Sequence, residues 1–62
     1  MNLSVVIVAW NSAEYLARTL PALDRELLEG DEVIIVDNGS SDDLAGVVSA
    51  TCPRATIVAM GT

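Results

Sequence analysis

The chain has 62 residues, of which 52% are apolar, and a formal charge of −6. A chain of this size buries only about 60% of the surface its unfolded form exposes, and such a core rarely yields more than roughly 3–5 kcal/mol without a disulfide, a metal or a partner. One compact unit is therefore expected, either part of something larger or marginal alone. The only cations, Arg18, Arg25 and Arg54, are scattered, which argues against a nucleic-acid backbone as partner, because that binding needs clustered positive charge to displace counterions.

Leu3-Ser4-Val5-Val6-Ile7-Val8-Ala9 opens the chain as an apolar, β-branched run with little polar alternation. Such runs suit a strand buried on both faces, as in a parallel sheet covered by helices. No basic segment precedes the run, and it is too short to span a bilayer, so no signal peptide is evident. With a lone cysteine, this favours the cytoplasm.

A helical pattern follows. Leu16, Leu20, Leu23 and Leu27 fall on one stripe of a 3.6-residue period. Asn11 can act as N-cap, with Glu14 completing a capping-box arrangement, and Ser12 is an equally good cap. Gly30 suits a left-handed stop, with Asp31 in the turn. Pro21 conflicts with this helix, since an interior proline costs about 3 kcal/mol; a kink or a break into two short helices is expected there.

Val33-Ile34-Ile35-Val36 repeats the strand signal, and Ala55-Thr56-Ile57-Val58-Ala59 repeats it more weakly. Between them, Gly39-Ser40-Ser41-Asp42-Asp43 reads as a turn into a helix. Ser40 or Ser41 would cap that helix, and the two aspartates would sit in its first turn, where they complement the dipole. Leu44, Val47 and Val48 give it a narrow apolar face, and Pro53 closes it. Cys52 cannot form an internal disulfide and reads as a small, partly buried apolar residue rather than a reactive thiol. With no His and no Cys cluster, a structural zinc site is not expected.

Strand, helix, strand, helix, strand with short connections implies right-handed crossovers and a three-stranded parallel β-α-β-α-β unit. Ligands of such sheets bind at the carboxyl ends of the strands. The segments that matter are then Val8-Ala9-Trp10-Asn11 and Asp37-Asn38-Gly39-Ser40. Asp37 can accept hydrogen bonds from a ribose, and the Asn38 amide offers both a donor and an acceptor to a base edge. The same residues are also common in ordinary turns. Trp10 can stack on a base or simply cap the core. Asn11 is a cap first and a ligand contact second. Asp42 and Asp43 diverge by about 100° on entering a helix, which suits a dipole role better than a metal pair.

Two linked segments, Ser4-Val5-Val6-Ile7-Val8-Ala9-Trp10-Asn11 and Glu32-Val33-Ile34-Ile35-Val36-Asp37-Asn38-Gly39-Ser40-Ser41-Asp42, with Tyr15-Leu16 and Leu20-Pro21-Ala22-Leu23 between them, closely resemble the N-terminus of family 2 glycosyltransferases. The Asp-Asn-Gly-Ser-Ser-Asp form looks most like the rhamnosyltransferase-like branch of cell-surface polysaccharide synthesis. The resemblance implies that residues 1–62 are the N-terminal portion of a GT-A, Rossmann-like domain binding a nucleotide-diphospho-sugar. By position, Val8, Ala9, Trp10 and Asn11 would line the base and ribose, together with Asp37 and Asn38. Asn38 stands where many members carry a second aspartate, which leaves the donor base open.

The family's metal-binding Asp-x-Asp and its catalytic carboxylate fall beyond Thr62 on this reading. No catalytic or metal residue is therefore assigned, and a divalent cation, Mg or Mn, is expected only for the full-length enzyme. The piece alone is expected to be inactive, and its partners to be the remainder of the domain or a second copy at an exposed sheet edge. Two other readings compete. A dinucleotide-binding half-domain needs Gly-x-Gly-x-x-Gly in the first turn, where this chain has Ala9-Trp10-Asn11-Ser12-Ala13-Glu14. A non-catalytic α/β module would dock on another protein through its sheet.

Overall fold

A computed structural model describes residues 2–60. The elements are β1 (Ser4–Ala9), α1 (Ala13–Glu26), β2 (Glu32–Asp37), α2 (Leu44–Thr51) and β3 (Thr56–Ala59). All pairings are parallel and the spatial order is β1-β2-β3. The expected architecture is present, and the two strong apolar runs lie side by side, with Val5 opposite Val33 and Ile7 opposite Ile35.

Because the strand order advances in one direction, right-handed crossovers place both helices on the same face of the sheet. Ala9, Val33 and Ile35 point to that face and are buried against Leu16, Leu20, Leu44, Val48 and Cys52. The other face is bare. Val6 is 61% exposed and Val8 is 71% exposed, whereas Ile35 is 0% exposed. The expectation that β1 is buried on both sides is thus corrected: its apolar run is continuous, but this chain's own helices cover only the odd-numbered side.

Helix α1 is one continuous element with Pro21 inside it, not two short helices. Full burial of a leucine is worth roughly 1.5–3 kcal/mol. Leu16, Leu20 and Leu27 are all buried and Leu23 packs against them, so the stripe together outweighs the proline penalty of about 3 kcal/mol. The carbonyl that Pro21 leaves without its helical donor belongs to Ala17, an exposed residue that water can serve.

The helix ends earlier than Gly30 suggested. Leu27 is its C-cap, with extended backbone. Gly30 has a positive φ of 91° in the turn that follows, and the Asp31 carboxylate organises that turn. It accepts the Leu28 N–H at 2.8 Å and the Leu3 N–H at 2.9 Å, tying the start of β1 to the end of the helical connection. Those backbone donors, Leu28 first and then Leu3, hold the Asp31 carboxyl below its ordinary pKa.

Helix α2 also begins differently from expectation. Asp43 is its N-cap and accepts the Gly46 N–H, so Ser40 and Ser41 lie outside the helix and its first turn carries no acid. The Asp43 carboxylate lies close to where a Cβ on residue 46 would stand, so a larger residue at that position would push the capping side chain aside. Pro53 follows the C-cap, Cys52, as expected. Cys52 is fully rather than partly buried, and its thiol donates to Asp24 Oδ1 across the helix pair at 3.4 Å. Burial first, and the Asp24 carboxylate second, push this thiol's pKa up.

Candidate functional site

The carboxyl ends of β1 and β2 lie level. Ala9 pairs with Asp37, and the Asn38 N–H donates to the Ala9 carbonyl at 2.8 Å. The ladder therefore runs to the last residue of β1 and one residue past β2, so the loop tips at Trp10 and at Asp37-Asn38 leave the sheet on one rim. The end of β3 joins the same rim, because the Met60 N–H donates to the Asp37 carbonyl at 2.8 Å.

The candidate residues are brought together but present different groups. Trp10 is 64% exposed, and among the described residues its hydrogen bonds use the main chain: its carbonyl accepts from the Ser12 hydroxyl at 2.9 Å. Asn38 is exposed and uses only its own N–H. Val8 lies on the bare face of β1, below Trp10. Ala9 differs from the others, for its methyl is packed in the core under the helices, so it meets the rim only through its carbonyl. Asp37 is half-buried, and its Oδ1 accepts the Ser40 N–H at 3.0 Å. This closes the turn in which Gly39 takes a φ of 81°, a region that glycine enters freely.

Asn11 is not the helix cap. Its φ is 47°, in the left-handed region where asparagine is enriched among non-glycine residues. Its Oδ1 accepts the Ser41 N–H at 2.7 Å and the Ser41 hydroxyl at 3.2 Å. Its own N–H donates to Ser40 Oγ at 2.9 Å. Ser12 occupies the cap position, but its side chain makes no cap bond; the hydroxyl turns back to Trp10. The donor left free at the first turn of α1, the Ala13 N–H, is taken by Asp42 Oδ2 at 3.0 Å from the other loop.

These cross-loop bonds were not legible in the sequence. Asn11 and Asp42 lie far apart along the chain, and no local pattern links them. The one available signal was an asparagine just after a strand, a residue type suited to positive φ.

The arrangement also tests the rival chemistries. In a dinucleotide fold the pyrophosphate sits on the N-terminus of the first helix. Here that position holds Asp42, and the turn before it has no glycine, so the rim does not offer a dinucleotide site. Nor do the residues fit a divalent cation. Asp42 and Asp43 serve the starts of two different helices, and no three of His, Cys, Asp and Glu come together among the described residues. No helix among these residues is long and apolar enough to cross a membrane.

A parallel β-α-β-α-β unit with its loop tips on one carboxyl rim defines the N-terminal half of a Rossmann-like α/β domain. The family model for glycosyl transferase family 2 matches residues 4–61, and the chain belongs to that family. No curated protein and no solved structure matches the chain.

Proposed function

We propose that the carboxyl rim binds the nucleotide of a nucleotide-diphospho-sugar, as the donor-binding part of a glycosyltransferase of the rhamnosyltransferase-like branch. The observation that carries this reading is the level pairing of Ala9 with Asp37, which sets an exposed indole and an exposed amide on adjacent strand ends. Trp10 stacks on the base, which suits an aromatic with one free face. Asn38 pairs with the base edge, and Asp37 uses its second carboxylate oxygen to accept from a ribose hydroxyl. Val8 supplies apolar contact beside them.

The diphosphate is not held by this unit. The start of α1 is occupied by Asp42, and Asp37, Asp42, Asp43 and Glu14 make the neighbourhood anionic. Offsetting the leaving diphosphate and deprotonating the acceptor hydroxyl both require groups beyond these residues. In the full-length enzyme a divalent cation, Mg or Mn, serves the first need. The unit by itself therefore transfers no sugar. The parent enzyme acts on a polysaccharide, lipid or protein acceptor, in the cytoplasm or at the inner face of the membrane.

Trp10 is the only tryptophan, so its fluorescence reports on the rim directly. Titration with adenosine, guanosine, uridine, thymidine and cytidine diphosphates is expected to change its emission at millimolar concentration, with one base favoured. No response from any of the five, in a chain shown folded by circular dichroism, removes the claim.

A second reading has one observation in its favour. Val6, Val8 and Val58 make an exposed apolar face, and β1 has a free edge. A non-catalytic module would use these to dock on protein, in place of the remainder of the transferase domain. Sedimentation decides between self-association and a monomer, and an associating chain that ignores all five nucleotides favours the module.

A further inference from the structure

We infer that Asn11 is a positioning residue of this rim, whose Oδ1 fixes the distance between Trp10 and Asn38 by bracing the two loops. The inference rests on the nucleotide reading for its purpose but not for its test.

The position makes two demands at once. The backbone there is left-handed, with φ at 47°, which bulky and β-branched residues avoid. The side chain must also be a short acceptor that reaches the neighbouring loop, where Oδ1 meets both the N–H and the hydroxyl of Ser41. The main chain of the same residue is pinned as well, by Ser40 Oγ. Asn11 is thus bound to the β2–α2 loop by its backbone and its side chain together.

The consequence falls on its neighbour. Trp10 precedes Asn11, and among the described residues no hydrogen bond of its own indole fixes it. On the other side, Ser40 is tied to Asp37 Oδ1, next to Asn38. A chain of contacts therefore runs from Trp10 through the Asn11 Oδ1 to Ser41, and on through Ser40 and Asp37 to Asn38. The two groups that would meet a base are held by this chain while both remain free to bind. Its Oδ1 accepts both bonds from Ser41, so the acceptor end of the Asn11 amide serves the brace.

Three substitutions separate the demands. Asn11→Gly keeps the left-handed backbone and removes the acceptor. Asn11→Asp keeps the acceptor and tolerates the backbone. Asn11→Ala loses both. The primary readout is Trp10 in the ligand-free protein, by steady-state anisotropy and acrylamide quenching, with the fold verified by circular dichroism. Asn11→Gly and Asn11→Ala are expected to lower the anisotropy and raise the quenching, and Asn11→Asp to restore both toward the parent values.

With the best-bound nucleoside diphosphate, Asn11→Gly is expected to weaken affinity about tenfold, equivalent to about 1.4 kcal/mol, the size of one net hydrogen bond. Equal ligand-free Trp10 signals in the parent and all three variants overturn the inference. So does a Gly variant that behaves like the Asp variant. If the parent binds no nucleotide, the proposed function fails, and the brace is still decided by the ligand-free signals.

Discussion

The two faces of the sheet are built from nearly the same residues and have opposite fates. On β1, Val5 and Ile7 turn toward the helices, while Val6 and Val8 turn toward solvent. On β2, Val33 and Ile35 are buried, and Ile34 and Val36 only partly so. Hydrophobicity does not distinguish the two sets. The helices do, and their side is decided by crossover handedness together with the order β1-β2-β3. An apolar side chain stabilises only where something covers it.

The sharpest way to break this comparison is a pair of truncations, one per face. Ile35→Ala is expected to cost about 2–5 kcal/mol, the usual range for a buried Ile. A core of this size holds roughly 3–5 kcal/mol in total, so urea titration should find the variant largely unfolded. Val8→Thr, on the bare face, should stay within about 0.5 kcal/mol of the parent. A comparable loss from both would mean that the bare face is covered in solution.

The rims offer a second comparison. At the carboxyl rim, Asp42→Ala removes the acceptor for the Ala13 N–H and should cost about 0.5–2 kcal/mol, as for other lost helix caps. The same urea measurement without metal checks it; no change would mean that Asp42 has another task.

At the amino rim, Asp31 has a depressed pKa because it accepts the Leu28 and Leu3 N–H groups. Its contribution is therefore complete above the unfolded-state value and is lost as the pH falls through the lower folded-state value. Stability should drop below about pH 4, and Asp31→Asn should lack that component of the acid limb. An identical acid limb in both proteins would dissociate the two backbone bonds from stability.

The smallest effect concerns charge. The carboxyl rim is acidic and its proposed ligand is anionic, so added salt should screen repulsion and strengthen nucleotide binding slightly, by about twofold between low salt and 0.15 M. Weaker binding in salt would point to a cationic contact that the rim does not display.

Much of the architecture was legible without coordinates. Apolar runs announced three strands, the leucine stripe announced α1, and short connections made the sheet parallel. The strand ends that form the rim followed, because parallel strands start and stop on common sides. The misjudged details were local competitions. Serine, asparagine and aspartate all suit caps and turns, so composition left Asn11, Ser12, Ser40 and Ser41 as rival caps. The structure puts Ser12 at the cap position of α1 but gives the capping bond to Asp42, and it makes Asp43 the cap of α2. Pro21 was weighed against the helix alone, whereas the burial that keeps the helix whole comes from the sheet and α2.

The sequence by itself determined which segments are strands and helices, and which residues emerge at the sheet's carboxyl edge, because periodicity and chain direction are properties of the polymer. Only the tertiary structure decided which face of β1 is covered, and that Asn11 Oδ1 and Asp42 Oδ2 each bond the opposite loop. Those outcomes depend on groups brought together by folding from distant parts of the chain, and no spacing along the chain encodes that meeting.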